Sequence, residues 1–451
     1  MKALILSCGG SPEPLIFSIN YFKPDFTYFL CSNDSVDITN NIVEECCLSD
    51  DQYNVKVVNN HENLEDSFAK SREVIQELQK QYDNIHVDFT GGTKPMVSGL
   101  VLAAIGEECT YSYVGSKDFK GRDKEGLGIV QNGFESIKDQ RDPYDVFAVM
   151  EFNKGMDFFN KYQFEAAKLN FEEAIGKLES DNLKEIADLS RDIVKVYDSW
   201  DKFNNLYDKK TISNTFLNII ERIENSDNLK SYFDENHPEF LNQIKNNWKF
   251  LQLKVSKRGL IKPENVKFYL PDLLNNAYRR IEEGKYDDAV ARLYRAIELI
   301  AQLGLINEGL INENILWVNK EFKIDLNIIH NLKNNELKSF IYKLPEYDRA
   351  VHKCKKNIGL GSKQSFKVLS KFDIDYACEY LNDKKISNNI SLRNGSILAH
   401  GLNPIDKKKA EELYSQVLTY AKKVFPEIVK YLDMSVFPKF EWLSWNTISL
   451  I

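Results

Sequence analysis

The stretch from His86 to Ala104, HVDFTGGTKPMVSGLVLAA, joins an apolar run to a second, longer apolar run through a turn that contains two glycines. The first run has the length of a strand and the second that of a helix, and a proline near the start of the second is typical of a helix N-terminus. Gly91 and Gly92 let the backbone turn sharply and approach a ligand closely. Thr93 and Lys94 add a hydroxyl group and a cation where helix amides attract anions. This stretch predicts a strand, a turn and a helix of an α/β sheet, with an anion site at the turn.

The first 132 or so residues repeat this alternation. Four helical patterns, at 13–21, 36–48, 63–82 and 95–106, separate short apolar runs that predict strands: KALILSC, FTYFLCS, VKVVN, IHVDFT and TYSYVG, followed by LGIVQ. Strands that alternate with helices predict a parallel, Rossmann-like sheet with right-handed crossovers. The last two runs, joined through the polar loop SKDFKGRDKEG, predict an antiparallel hairpin at the edge of the sheet.

A second glycine-rich turn, Gly9-Gly10-Ser11-Pro12, follows the first predicted strand. Ser11 is expected to cap the next helix, with Pro12 at its first position. Both turns belong at the carboxyl edge of the sheet, where ligands of open α/β sheets bind. Neither GxxxxGK[ST] nor GxGxxG is present, so a tight connection without a ligand stays open as an alternative. We expect Asp88 to bond amide groups of its own turn rather than to touch a ligand.

After Asp142-Pro143 the apolar residues follow a helical period to the C-terminus. The string GMDFFNKYQFEAAKLNFEEAIGKL and the segment around Gly284 each predict a helical hairpin packed through small residues. The segment KRGLIKPEN indicates a boundary, after which two more helices are expected from about 272 to 303. The predicted domains are 1–143, 144–265 and 266–451. The aromatic tail that begins at Met434 is expected to pack on a surface that the sequence does not identify.

Composition excludes several classes of protein. A formal net charge of −8 argues against coating nucleic acid by bulk electrostatics, so stable DNA binding is not expected. The seven cysteines include no CxxC pair, which argues against a disulfide framework or a zinc knuckle. No run reaches membrane-spanning length and Met1 leads directly into a strand-like segment. We therefore expect a soluble, cytoplasmic protein without a metal or other cofactor.

The string RNGSILAHG places Arg393 and His400 seven residues apart. On one helix this spacing is close to two turns, about 10.5 Å of rise, so both side chains would share a face. Gly401 and Pro404 would end the helix just after His400, where the helix dipole favours a protonated imidazole. A guanidinium and an imidazole suit cleavage of a phosphodiester, because one stabilises charge and the other transfers protons. The alternative is a surface arginine and a histidine that only complements the dipole.

The N-terminal part resembles the CRISPR-associated Rossmann fold (CARF) domain, through the string Asp-x-Thr-Gly-Gly-Thr-Lys-x-Met at 88–96. CARF domains are the sensors of cyclic oligoadenylates in type III CRISPR systems. This resemblance implies a homodimer in which two clefts bind one ring. The residues that it places in the ligand pocket are Gly9, Gly10, Ser11, Thr90, Gly91, Gly92, Thr93, Lys94 and Met96. Tetra- and hexa-adenylate rings stay open, as does cleavage of the ring by the domain.

The C-terminal part resembles the HEPN ribonuclease domain, whose signature is Arg, often followed by Asn, then four to six residues and His. Carried over to this sequence, the resemblance makes Arg393 and His400 catalytic and Asn394 supporting. It implies a site formed between two subunits, no metal, and cleavage of single-stranded RNA that leaves a 2′,3′-cyclic phosphate. The predicted architecture is therefore an α/β CARF domain followed by an all-α half ending in a HEPN domain, and the predicted function is an endoribonuclease activated by cyclic oligoadenylate in type III CRISPR antiviral defence.

Two other functions stay open: a ligand-sensing regulatory or scaffold protein without nuclease activity, and a HEPN ribonuclease that needs no ligand. The other histidines, 61, 86, 237, 330 and 352, are assigned structural or surface roles. The lysine-rich segment 352–372 is either a solvated loop or a wall that holds single-stranded RNA by its backbone charge.

Overall fold

The computed structural model describes residues 1–124, 127–204, 206–207, 210–254, 260–311, 315–316, 322–394, 396, 398 and 401–441. The chain forms two compact units, one of residues 1–150 with 176–179 and one of residues 151–175 with 180–451. The expected α/β domain followed by a helical half is confirmed. The boundary predicted at residue 265 stays a prediction, and in this structure helices from both sides of it share one core.

The first unit is an α/β layer. Its strands are β1 Lys2–Ser7, β2 Phe26–Cys31, β3 Tyr53–Val57, β4 Asn84–Asp88, β5 Cys109–Ser116, β6 Arg122–Lys124, β7 Leu127–Val130 and β8 Glu135–Gln140. Its helices are α1 Glu13–Phe22, α2 Val36–Glu45, α3 Leu64–Leu78, α4 Lys94–Ala104 and α5 Pro143–Val146. The main sheet has the order β3-β2-β1-β4-β5-β8, and every neighbouring pair is parallel except β5 and β8.

Both faces of the sheet are covered, because its central strands carry apolar side chains on both sides. On one face, Leu4, Leu6 and Phe29 pack with Leu15 and Ile19 of α1. On the other, buried residues of α3 and α4 cover the sheet: Val74, Ile75, Leu78, Leu100, Ala103 and Ala104. The helices that follow β1 and β4 therefore lie on opposite faces, and the gap between these two strands is the switch point of the sheet.

The predicted edge hairpin is wrong in its partner. Strand β5 pairs antiparallel with β8, whereas the run at β7 pairs with β6 in a separate two-stranded sheet. The run at β7, LGIV, is more apolar than β8, so the hydrophobic pattern favoured β7 as the partner of β5. Strand β8, ESIKDQ, escaped prediction because it lies at an exposed edge and has little apolar character to give a strand pattern.

The second unit is helical. Its helices are α6 Val149–Asn160, which begins in the first unit, α7 Phe164–Lys177, α8 Asp181–Asp201, α9 Ile212–Asn225, α10 Asp227–Ser231, α11 Pro238–Lys254, α12 Pro263–Val266, α13 Tyr269–Glu282, α14 Tyr286–Asn307, α15 Leu326–His330, α16 Asn335–Tyr342, α17 Pro345–His352, α18 Ser362–Ser370, α19 Asp375–Asn382, α20 Lys384–Asn394, α21 Lys407–Val424 and α22 Ile428–Met434. Three short strand pairs accompany them: β9 Leu206–Tyr207 with β10 Lys210–Thr211, β11 Leu260–Ile261 with β12 Ile315–Leu316, and β13 Ile324–Asp325 with β14 Asn357–Ile358.

Both predicted helical hairpins are present, as α6 with α7 and as α13 with α14. In the first, a Cβ at Gly155 would lie 2.9 Å from the Phe171 ring, so only glycine fits this approach. The tail also has a partner in this unit, because Phe437 and Phe440 are buried among the rings of Phe159, Trp200 and other aromatic residues. No helix in the described part of the chain is both long and apolar enough to cross a membrane.

Candidate functional site

The two glycine-rich turns meet at the switch point of the sheet. A Cβ at Gly9 would lie 2.6 Å from the amide nitrogen of Gly92, and one at Gly91 would lie 2.5 Å from the carbonyl oxygen of Ser7. Gly92 also has a φ of +96°, which glycine adopts without strain. The glycines are therefore required by the approach of the two turns to each other. The prediction that both turns lie at one edge is confirmed by this geometry.

Backbone amide groups line this edge. In the described part of the chain, the amides of Gly9, Gly10, Gly91, Gly92 and Lys94 donate to no protein acceptor. The Gly9, Gly91 and Gly92 residues are partly exposed, and Gly10 and Lys94 are exposed. Unbonded amides at a helix N-terminus, together with an exposed ammonium group, favour an anion at this position.

Threonine hydroxyls shape the β4–α4 turn. Thr90 Oγ1 donates to Asp88 and accepts from the amide of Val114 at 2.7 Å. Thr93 Oγ1 donates to the carbonyl oxygen of His61 and accepts from the amide of Met96 at 3.4 Å as the N-cap of α4. Both hydroxyl groups already have partners within the protein, so their first task is to hold the turn.

Asp88 lies at the bottom of this turn and is fully buried. Its Oδ1 accepts from the amide of Thr90 at 2.9 Å, as the sequence predicted. Its Oδ2 accepts from Ser18 Oγ at 2.7 Å and from Ser112 Oγ at 3.2 Å. Burial raises the pKa of Asp88, and the hydrogen bonds from Thr90, Ser18 and Ser112 oppose that rise.

The structure adds one detail about Ser11 and one about Met96. Helix α1 begins at Glu13 with Pro12 at the N-cap, so Ser11 is not the cap; proline cannot donate an amide there and supplies no side-chain acceptor. Met96 is only 2% exposed, because its side chain lies beneath the turn next to Gly92. Met96 supports the turn from below, and its assignment to a ligand contact stays a prediction.

The second predicted site lies at the end of α20. The carboxylate of Asp383 caps this helix by accepting from the amides of Lys385 and Ile386, and Tyr420 of α21 donates to the same carboxylate at 2.9 Å. Asn389 donates to Gln416 of α21 at 3.0 Å. Arg393 and Asn394 are the last two residues of the helix. Packing against α21 therefore fixes the helix that carries the arginine.

The predicted helix through His400 is wrong, because α20 ends at Asn394 and neither Ser396 nor Leu398 is helical. Asparagine followed by glycine is typical of a helix C-terminus, which explains the early end. The amide of Gly401 donates to the carbonyl oxygen of Ser396 at 3.1 Å, which closes a turn after the helix. His400 itself lies outside the described residues.

The lysine-rich segment is only partly a loop, since α18 occupies most of its second half and buries Phe366, Val368 and Leu369. The outward-facing cations of the segment are exposed: Lys353, Lys355, Lys356, Lys363, Lys367 and Lys371. Among the described residues, no group of three or more His, Cys, Asp or Glu side chains is placed to hold a metal ion.

Part of the helical half matches a known protein family. Residues 258–423 match the family described as the Csm6 HEPN domain. The structure of Enterococcus italicus Csm6 bound to cyclic hexa-2′-fluoro-hexa-dAMP covers 97% of this chain and 99% of its own, at 13% identity and a TM-score of 0.50. Can2 from Sulfobacillus thermosulfidooxidans in complex with cyclic tetra-adenylate (cA4) covers 61% of this chain and 67% of its own, at 10% identity, and its TM-score of 0.23 is too low to carry an argument.

None of the curated proteins matches the chain. The match to the Csm6 HEPN family begins at residue 258, before the predicted boundary at residue 266, and includes Arg393, Asn394 and His400. The Csm6 structure extends the likeness in fold to almost the whole chain, including the α/β unit. Residues 258–423 therefore resemble the Csm6 HEPN domain, and the chain as a whole is similar in fold to the Csm6 structure.

Proposed function

We propose that the protein is an endoribonuclease of type III CRISPR antiviral defence that cyclic oligoadenylate activates. The observation that carries the proposal is the combination of a Csm6 HEPN domain with unbonded amides and Lys94 at the switch point of the α/β unit. A ring of adenylates is a compact polyanion, and its phosphates suit amide groups and an exposed ammonium group. The ligand of the related Csm6 structure belongs to the same chemical class.

The proposed ligand contacts are the amides of Gly9, Gly10, Gly91 and Gly92 and the side chain of Lys94. Ser11, Thr90, Thr93 and Met96 complete the pocket, the last three by holding the shape of the turn. Tetra- and hexa-adenylate rings are both candidates, and the site needs no further cofactor. Activation requires that the ring bind the active arrangement more tightly than the idle one.

The proposed catalytic residues are Arg393, Asn394 and His400. His400 would move protons between the attacking 2′-hydroxyl group and the leaving 5′-oxygen, Arg393 would stabilise charge on the phosphoryl oxygens, and Asn394 would support them. Attack of the 2′-oxygen on phosphorus breaks the bond to the 5′-oxygen. The products are then a 2′,3′-cyclic phosphate and a 5′-hydroxyl group, and the reaction consumes no metal-bound water.

The substrate in this proposal is single-stranded RNA, held by backbone charge. The exposed lysines of the segment 352–372 support this idea, because lysines can follow a phosphate backbone without reading sequence. We further propose a cytoplasmic homodimer. Two exposed apolar side chains, one within the catalytic motif and one just after it, support a partner surface there, since Leu398 is 49% and Leu402 85% exposed.

The test is the His400→Ala variant, with His330→Ala as a matched control because His330 is an exposed histidine at the end of α15, outside the segment 352–372. We expect His400→Ala to abolish cleavage of single-stranded RNA while ligand binding persists, and His330→Ala to cleave at the wild-type rate. EDTA should leave wild-type cleavage unchanged, and mass spectrometry should detect cyclic phosphate ends. Full activity of His400→Ala, or loss of wild-type activity in EDTA, would overturn the proposed mechanism.

A further inference from the structure

Two buried serines join the glycine-rich turns to each other. Ser7, the last residue of β1, donates to the carbonyl oxygen of Gly91 in the β4–α4 turn. Ser18 of α1, the helix that follows the first turn, donates to the carboxylate of Asp88 at 2.7 Å. Both serines are fully buried, so neither reaches solvent or a ligand at the surface. Each bond therefore connects an element of one turn to the other turn.

The bond from Ser18 has the larger consequence because its acceptor is a buried carboxylate. Asp88 accepts two hydrogen bonds from Thr90, one from Ser18 and one from Ser112. A buried carboxylate has no water to replace a lost hydrogen bond, so its stability depends on the protein groups that donate to it. Thr90 lies near the start of the β4–α4 turn, so the position of this turn depends on how well Asp88 is held. Ser18 is the donor that reaches Asp88 from the first turn's side.

We propose that Ser18 is a positioning residue of the ligand site. Its hydroxyl group holds Asp88, Asp88 holds Thr90, and the β4–α4 turn is thereby fixed against the β1–α1 turn before any ligand arrives. A cleft that is already formed avoids an ordering cost on binding. The proposal rests on the proposed function for the identity of the ligand, but the fixing of the turn is a property of the free protein.

Amide hydrogen exchange of the ligand-free protein tests the fixing directly. Ser18→Ala should speed exchange of the Thr90 amide by about 10-fold, because that amide donates to the carboxylate that Ser18 holds. Ser71→Ala is the matched control: Ser71 is a buried helical serine of the same unit, and its hydroxyl group donates to Ser67 of its own helix at 2.7 Å. Ser71→Ala should leave the exchange of Thr90 unchanged.

A second variant keeps the test decisive if Ser18→Ala folds poorly. Ser18→Cys has nearly the same size, but a thiol is a weak donor, so exchange at Thr90 should still be faster than in wild type. Unchanged exchange in a folded Ser18 variant would overturn the proposal, as would an equal increase in Ser71→Ala.

Ligand affinity tests the functional half of the proposal. Affinity for cyclic tetra- or hexa-adenylate should fall about 10-fold in Ser18→Ala and by less than 2-fold in Ser71→Ala. Because Ser18 acts through the turn that carries Lys94, its effect should shrink when Lys94→Ala is already present. Fully additive effects, or faster exchange with unchanged affinity, would contradict a positioning role. If the wild type binds neither ring, the proposed function fails, while hydrogen exchange still decides whether Ser18 fixes the turn.

Discussion

The two units use buried polar side chains in different ways. In the α/β unit, the polar groups around Asp88 lie under the turns at the end of the strands. In the helical unit they lie between helices: Asp201 of α8 pairs with Arg279 and Arg280 of α13 in the core. The strand order of the sheet brings the polar groups around Asp88 together. In the helical unit, the ion pairs between side chains are what join α8 to α13. We therefore expect the units to respond differently to loss of a polar group.

The largest effect is expected from Asp201→Ala in the helical unit. It leaves Arg279 buried without its carboxylate and Arg280 with only Glu283 as a partner, which costs about 3–5 kcal/mol of unfolding free energy. Every tryptophan of the chain lies between residues 200 and 445, so tryptophan fluorescence in urea reports on the helical half. Glu165→Gln, which removes an exposed ion pair with Lys168, should leave the unfolding free energy almost unchanged, because water and salt screen exposed charges. Equal costs would show that the buried pairs do not hold the helices together.

The next largest effect is expected at Gly9 of the first turn and not at its neighbour Gly10. Gly9→Ala places a Cβ 2.6 Å from the backbone of Gly92 and should cost about 1–3 kcal/mol, because backbone atoms must move. Gly10→Ala meets no atom within 4 Å and serves as the control. Hydrogen exchange of β1 and β4 measures the change, since tryptophan fluorescence does not report on this unit. Similar exchange in both variants would contradict the close approach of the two turns.

A pH effect of about 2 kcal/mol is expected from the helical unit. Burial lowers the pKa of His237 from 6.5 to about 4, so the folded protein keeps this side chain neutral where the unfolded chain protonates it. The unfolding free energy should therefore fall as the pH drops from 6.5 towards 4, with about 2 kcal/mol lost at pH 5. His237→Phe should flatten the pH dependence in urea titrations, and the exposed His352→Phe should keep it. A wild-type slope in His237→Phe would contradict the assignment.

The smallest effect is expected at the surface of the α/β unit. Lys94→Ala should weaken binding of cyclic oligoadenylate about 10-fold, or about 1.4 kcal/mol, and should reduce the dependence of affinity on salt. Lys80→Ala is the control, because this exposed lysine follows α3 at the opposite edge of the sheet. Calorimetric titration at two salt concentrations measures both quantities. Equal losses in both variants would indicate a general effect of charge rather than a site at the turn.

Much of the α/β unit could be predicted from the sequence. The alternation of apolar strands and helices fixes parallel pairing, and parallel pairing brings the turns at Gly9 and Gly91 to one edge. What the sequence did not show was why these residues are glycines, because their approach to each other depends on tertiary packing. Ser18 was also missed, since a serine inside an apolar helix has no local signal. Asp88 at the end of an apolar strand needs a buried donor, and Ser18 on the apolar face of α1 was a candidate for it.

The helical unit was predicted less well. Period and small residues identified the hairpins, but the partners of Asp201 and of the tail around Phe437 are far away in sequence. The helix of the catalytic motif was also predicted too long, because α20 ends at Asn394 rather than after His400. The spacing of Arg393 and His400 predicted one continuous helix, whereas the Asn-Gly pair that follows Arg393 favours the end of a helix. Weighing that pair more heavily would have corrected the prediction.

The most direct test of the central claim is the rate at which the wild-type protein cleaves a fluorescently labelled single-stranded RNA, measured during titration with cyclic tetra-adenylate and, separately, cyclic hexa-adenylate. We predict little cleavage without a ring and a saturable increase with one of them. Lys94→Ala should shift that increase to higher ring concentration without abolishing the maximal rate. An equal rate with and without both rings, or no cleavage under any condition, would contradict the account.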